Sequence, residues 1–294
     1  AREQIEEVYE CGVAAVPHST GLWDYYLAWR EQCPASDTPE AARAAVRALY
    51  ERAVAAVGTD FSSAPLWLRY ADFEQRVCGD ERSAAQVLVR AVAVPLQQAE
   101  SVWQRLTQLV RECRAQDVLP EADVVALGRA IASAADAQQA SQREDEARSA
   151  FLARAEAAYK NAQEHAKARA EYERVVLTRP YFHVKPVDAT VLDTWARYLA
   201  YAQEHEDPEC VRTLYERCLV PCAAHEEFWR MYAAYQCGDG DDDSAQGGPK
   251  AAREVLERAR RFVRESPAMT LQRALLEEAV GDVQAAKSTL ATVA

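Results

Sequence analysis

Five times along the chain a tryptophan is followed three and six residues later by further large apolar side chains. The sets are Trp23/Tyr26/Trp29, Trp67/Tyr70/Phe73, Trp103/Leu106/Leu109, Trp195/Tyr198/Tyr201 and Trp229/Tyr232/Tyr235. Residues three and six apart share one side of an α-helix, so each set is a bulky stripe that a single helix cannot bury. Between the stripes a second phrase recurs: Leu49-Tyr50-Glu51-Arg52, Val87-Leu88-Val89-Arg90, Glu171-Tyr172-Glu173-Arg174, Leu214-Tyr215-Glu216-Arg217 and Val255-Leu256-Glu257-Arg258, with Val8-Tyr9-Glu10 as a partial first copy. From Tyr9 through Tyr50, Leu88, Tyr172 and Tyr215 to Leu256 the steps are 41, 38, 84, 43 and 41 residues, and the 84 is two periods with one copy missing or degraded. A period near 40 built from two amphipathic helices predicts an all-α fold, an α-solenoid of stacked helical hairpins.

Composition agrees with that architecture. Only 10 glycines in 294 residues, abundant alanine and few β-branched runs favour helix nearly throughout. No apolar run approaches the roughly 20 residues that cross a bilayer, and no secretory signal opens the chain. The first residue is alanine, which fits trimming from a longer parent. A net charge of −12 and a pI near 5.0 argue against a general nucleic-acid binder, because phosphate affinity rests on lysine and arginine. The eight cysteines form no Cys-x-x-Cys pair and read as reduced core residues of an intracellular protein, not as disulfides or zinc ligands.

The pattern divides the chain into an N-terminal arm at 1–120, a helical linker at 121–165 and a C-terminal arm at 166–294. Proline, glycine or a capping Ser/Asp predicts breaks at Pro17–Gly21, Cys33–Pro39, Gly58–Pro65, Gly79–Asp80 and Pro95. The aromatic stripe vanishes in the linker, and the alanine- and charge-rich Ser141–Ala170 favours one long helix bridging the arms. No heptad persists long enough for a coiled coil. The acidic segment between Cys237 and Pro249 reads as a flexible insertion; its sixth and twelfth positions, Ser244 and Lys250, break the EF-hand pattern. The last helix pair lacks the tryptophan and carries Leu271, Leu275, Leu276 and Val280, so it is either a cap or a docking surface.

Little in the chain points to catalysis. It has no phosphate-binding loop, dinucleotide fingerprint, nucleophile elbow or His-Glu-x-x-His helix, and its five histidines are scattered. The expectation is a non-enzyme without cofactor or metal. The recurring Glu-Arg pair either bridges neighbouring helices or faces water. Its repetition favours a structural role, since no catalytic group is needed four times. The basic cluster around Arg258, Arg261 and Arg264 has three readings: a solvated or internally paired face, a contact for an acidic protein partner, or an RNA contact.

The two-helix phrase resembles the half-a-TPR (HAT) repeat of RNA-processing proteins. A sharper match is Arg179-Pro180-Tyr181-Phe182-His183-Val184-Lys185-Pro186, followed by Trp195, Tyr198, Glu216-Arg217-Cys218, Cys222-Ala223 and Glu226-Glu227-Phe228-Trp229. This order is similar to that of the pre-mRNA-processing factor 39 family. Physically, the two prolines force an extended path, and Tyr181, Phe182 and Val184 are expected to tuck against the next pair; the alternative reading is a wedge that only sets the angle between the arms. The resemblance implies a nuclear splicing scaffold of two HAT arms that binds proteins of the U1 small nuclear ribonucleoprotein and supports 5′ splice-site recognition. It also implies dimerisation, with itself or a paralogue, through the C-terminal repeats, where Leu271, Leu275, Leu276, Val280 and Leu290 form the candidate interface. The repeat core would comprise Trp23, Tyr26, Tyr50, Trp67, Tyr70, Trp103, Tyr172, Trp195, Tyr198, Tyr215, Trp229 and Tyr232. The alternatives are a HAT scaffold of mRNA 3′-end cleavage or ribosomal RNA processing, and a direct RNA-binding protein.

Overall fold

A computed structural model describes residues 2–33, 38–134, 136–238, 247–263 and 266–291. Within them every regular element is helical. The order is α1 Arg2–Ala15, α2 Thr20–Gln32, α3 Pro39–Val57, α4 Ala64–Phe73, α5 Glu81–Val92, α6 Ala99–Glu112, α7 Ala115–Val118, α8 Glu121–Ala132 and α9 Ala137–Val176. There follow α10 Ala189–His205, α11 Pro208–Cys218, α12 Glu226–Gly238, α13 Pro249–Ala259, α14 Pro267–Ala279 and α15 Val283–Ala291.

Local chemistry sets these boundaries. Ser19, Asp80 and Ser266 each accept a backbone N–H of the first turn of α2, α5 and α14, which satisfies donors that a helix start otherwise leaves orphaned. Prolines open α3, α4, α11, α13 and α14, where the missing N–H costs nothing. Helix α4 widens into a π-helical turn, Glu74–Cys78, which Gly79 ends at φ 68°. That left-handed conformation is open to glycine and strained for most other residues.

The chain forms two compact units, 1–171 and 172–294, and the boundary falls within the 40-residue helix α9. Each has its own apolar core. The first holds Trp23, Tyr26, Tyr50, Trp67, Tyr70, Leu88 and Leu106, and extends through Leu127 of α8 to Phe151, Ala155 and Tyr159 of α9. The second runs from Val176 through Trp195, Tyr198, Tyr215, Trp229 and Tyr232 to Leu256, Met269 and Leu276. Of the repeat-core residues only Trp103 and Tyr172 are half-buried; the others are buried. Burial of one such side chain stabilises by roughly 1.5–3 kcal/mol, so the stripes carry the hydrophobic driving force of both units.

Candidate functional site

The repeated residues build one arrangement four times. A tyrosine of the second helix of one hairpin lies flat on a tyrosine of the first helix of the next: Tyr9 on Tyr26, Tyr50 on Tyr70, Tyr172 on Tyr198 and Tyr215 on Tyr232, with centroids 4.7–5.0 Å apart. The third ring of each stripe, Trp29, Phe73, Tyr201 or Tyr235, tilts against the same tyrosine at 5.4–5.7 Å. Offset stacking with tilted neighbours is the arrangement that the ring quadrupoles favour.

The Glu-Arg phrase supplies a polar rail beside the rings. Its glutamate pairs not with the adjacent arginine but with the arginine one repeat later: Arg52 donates to Glu10, Arg90 to Glu51, Arg217 to Glu173 and Arg258 to Glu216, spanning 42, 39, 44 and 42 residues. Each pair has two N–H···O contacts, at 2.5–3.0 Å, the forked geometry that suits guanidinium to carboxylate. The tyrosine hydroxyl of the intervening helix donates to the same carboxylate, at 2.7 Å from Tyr26 to Glu10, 2.8 Å from Tyr70 to Glu51 and 2.8 Å from Tyr198 to Glu173. The arginine then covers the tryptophan of its own hairpin: Arg52 over Trp23, Arg90 over Trp67, Arg217 over Trp195 and Arg258 over Trp229, at 5.4–5.9 Å. The sequence left open whether the pair bridges helices or faces water; in these four copies it bridges.

These contacts set the acid response. Hydrogen bonds from Arg52, aided by Tyr26, hold the Glu10 carboxyl below its ordinary 4.5, at about 2, and Arg90 likewise lowers Glu51. Burial and the neighbouring carboxylate raise the phenols of Tyr26 and Tyr70 above their ordinary value. Between pH 4.5 and about 2 the unfolded chain therefore binds more protons at Glu10 than the folded one. The contribution is fully present above the unfolded value and disappears as pH falls through that window. Urea midpoints measured at pH 7, 4 and 3 should fall progressively, and Glu10→Gln should flatten the slope.

The degraded repeat has a physical substitute. Trp103 stacks on Tyr159 at 5.1 Å and 7°, and the Tyr159 hydroxyl donates to Glu100 at 2.5 Å; burial, aided by that bond, pushes the phenol up to about 12. Tyr159-Lys160 keeps the ring and a cation of the repeated phrase without its glutamate.

Three tryptophan ring N–H groups donate to a carbonyl in the loop before their helix: Trp23 to Pro17 at 2.7 Å, Trp67 to Gly58 at 2.9 Å and Trp229 to Ala223 at 2.8 Å. Gly58 is fixed chiefly by the Val54 backbone carbonyl, which a Cβ there would meet at 2.4 Å, with the Trp67 ring next at 3.0 Å. The buried Trp195 Nε1 has no partner among the described residues. Its loop is the octapeptide, whose carbonyls at His183, Lys185 and Pro186 turn inward to the Arg179 guanidinium instead.

This corrects the expected packing of the motif. Tyr181, Phe182 and Val184 do not tuck against the next pair; they are 75%, 61% and 93% exposed, because the loop closes around Arg179 and turns its apolar side chains outward. Pro180 also lies on the outside. Serine at Tyr181, Phe182 or Val184 should shift stability by less than about 0.5 kcal/mol. Arg179→Ala should open the loop, raising the rate of chymotryptic cleavage after Tyr181 or Phe182 several-fold in a timed digest.

The remaining candidate residues are dispersed. Arg258 is engaged by Glu216 and Trp229, Arg253 by Glu277, and Arg261 is exposed; Arg264 lies outside the described residues, as do residues 239–246 of the insertion between Cys237 and Pro249. At the C-terminal end Leu271, Leu275, Val280 and Leu290 are exposed, whereas Leu276 faces the second core and cannot contribute to a surface. All eight cysteines are free, but only Cys218 and Cys222 are buried and Cys11 is exposed, which revises the expectation of a mainly core set. Burial pushes the Cys218 thiol well up, which makes it a poor nucleophile. Among the described residues no group of three or more His, Cys, Asp or Glu could hold a metal ion, and no helix is long and apolar enough to cross a membrane.

Comparison with known proteins adds the family dimension. Residues 1–108 match the family model of the PRP39 N-terminal HAT repeat, and residues 167–294 that of the PRP39 C-terminal HAT repeat. The chain is 31% identical to pre-mRNA-processing factor 39 of Schizosaccharomyces pombe over 97% of its length. It is 30% identical to the Danio rerio protein over 99%, and 28% identical to the Homo sapiens protein over 98%. It spans 47%, 41% and 44% of those proteins, or about half the length of the curated relatives it matches.

Proposed function

The chain belongs to the pre-mRNA-processing factor 39 family, and from that premise we propose that it is a non-catalytic, nuclear scaffold of pre-mRNA splicing. In this reading it binds proteins of the U1 small nuclear ribonucleoprotein and supports 5′ splice-site recognition. The observation that carries it is the likeness to splicing factors along nearly the whole chain, across both sets of repeats. The geometry is compatible: the recurring aromatic and charged residues are spent on holding hairpins together, which leaves a shaped exterior for partners.

A second element is self-association, or pairing with a paralogue, through the C-terminal arm. It is supported by the exposed Leu271, Leu275, Val280 and Leu290 on the last helix pair, 42–57% accessible, an apolar face of the kind that marks interaction sites. Affinity purification from nuclear extract followed by mass spectrometry tests the main reading: U1 proteins are expected, and 3′-end cleavage factors recovered without them would overturn it. Light scattering tests the second. The mass should be that of a dimer and fall to a monomer in Leu271→Asp/Leu275→Asp, and a monomer at every concentration would remove this element.

A further inference from the structure

A groove of about 390 Å³ lies in the first unit where the end of α2, the start of α3 and the π-helical turn after α4 meet. Its floor and walls are apolar: Pro39, Ala42, Val46, Phe73 and Val77. Val46 and Phe73 are 4% and 5% exposed and form a packed base, while Val77 is 50% exposed at the edge. The volume is sufficient for one or two apolar side chains, and its size is ordinary for a ligand pocket.

Charge surrounds this floor unevenly. Four arginines line the groove against one glutamate and one aspartate, in a chain whose net charge is −12. Two of the arginines are already used, Arg30 by Glu6 and Arg69 by Asp24 and Glu31, and the aspartate, Asp72, is held by Arg105. Arg43 and Arg76 are exposed and make no hydrogen bond or ion pair with any described residue. Their neighbour Arg47 differs sharply, being locked onto the fully buried Glu74. The rail arginines of this protein all serve the fold; these two do not.

We infer that this groove is a docking site for an acidic peptide segment of a partner protein, with an apolar side chain seated on Val46 and Phe73 and carboxylates taken by Arg43 and Arg76. Guanidinium groups bind carboxylates in a fork, and two unpaired ones beside an apolar floor select a segment that alternates acid with an aliphatic or aromatic anchor. An RNA strand fits less well. The only aromatic ring in the lining, Phe73, is too buried to stack on a base, and among the described residues no further ring lines the groove to hold successive bases.

Acidic-peptide capture deepens the scaffold reading and rests on it, yet the two fail separately. A phage library of random peptides of about 12 residues is panned on the intact chain and on Arg43→Glu/Arg76→Glu, and the selected peptide is measured by fluorescence anisotropy. Both arginines are exposed and without partners among the described residues, so the variant should keep the far-UV circular dichroism spectrum and thermal midpoint of the parent. Selected peptides should be rich in Asp and Glu around a Leu, Ile, Phe or Met. They should bind at least about tenfold more weakly to the double variant and to Val77→Glu, and equally well to Leu271→Asp/Leu275→Asp. Selected peptides without acidic residues, equal affinity for Arg43→Glu/Arg76→Glu, or displacement of the peptide by an oligouridylate of the same length would overturn the site. Loss of U1 recovery with intact peptide selection would overturn the assembly and leave the groove; the reverse would overturn the groove and leave the assembly.

Discussion

Trp229→Ala is expected to destabilise the second unit by about 3–5 kcal/mol, the scale of deleting a large buried ring. The indole is 1% exposed. One face lies under the Arg258 guanidinium at 5.6 Å, the Phe262 ring stacks at 5.7 Å, and Nε1 donates to the Ala223 carbonyl at 2.8 Å. Alanine removes all three contacts together and opens a cavity between α12 and α13 that close-packed neighbours fill only in part. Trp229→Phe separates the contributions: it keeps most of the apolar area but leaves the Ala223 carbonyl without its donor, a loss of about 1–3 kcal/mol. Urea denaturation followed by circular dichroism gives the total. Hydrogen exchange locates it: amides of α11–α13 should lose protection, while those of α4 and α5 keep theirs, because stability in a repeat array is a sum of nearest-neighbour terms. Protection lost equally in both units would mean that the array unfolds as one body and that the nearest-neighbour description fails.

What could be read from the sequence was whatever lies within one helix. The stripe Trp67/Tyr70/Phe73 announces its face because its members are three residues apart, and the periods from Tyr9 to Leu256 follow by counting. Contacts between helices were harder to see. Glu51 and Arg52 stand next to each other and suggest a local pair, but consecutive residues on a helix diverge by roughly 100°, and each reaches a different neighbour: Glu51 holds Arg90, and Arg52 holds Glu10. The replacement for the lost repeat was equally hidden, since Tyr159 meets Glu100 across 59 residues of chain. In the octapeptide, Tyr181, Phe182 and Val184 read as buried because they are apolar. Their fate was decided instead by Arg179, whose donors gather three carbonyls and fix the loop with those side chains outside. Arg43 and Arg76 gave no signal at all, because an arginine that lacks a partner looks in sequence like one that has found it.

The second large effect is expected at Glu173, and the rail itself provides the control. Glu173 is 1% exposed and takes two bonds from Arg217, at 2.7 and 2.5 Å, and one from Tyr198 at 2.8 Å. The Arg217 side chain is only 18% exposed, so Glu173→Ala removes its forked carboxylate where water compensates poorly, at a cost of about 3–5 kcal/mol. The homologous rung at Glu10 and Arg52 makes the same forked contact with side chains 40% and 52% exposed. There Glu10→Ala should cost no more than about 1 kcal/mol, because solvent screens the pair and hydrates the orphan. Equal losses at both rungs would show that hydrogen-bond geometry, not burial, sets their strength. Glu173→Leu combined with Arg217→Met should recover most of the single-variant loss, since a buried ion pair gains little over apolar residues of similar volume once both charges are gone. A double variant as unstable as Glu173→Ala would instead mean that Tyr198, losing its acceptor in both, carries the penalty, and Tyr198→Phe on that background would then restore stability.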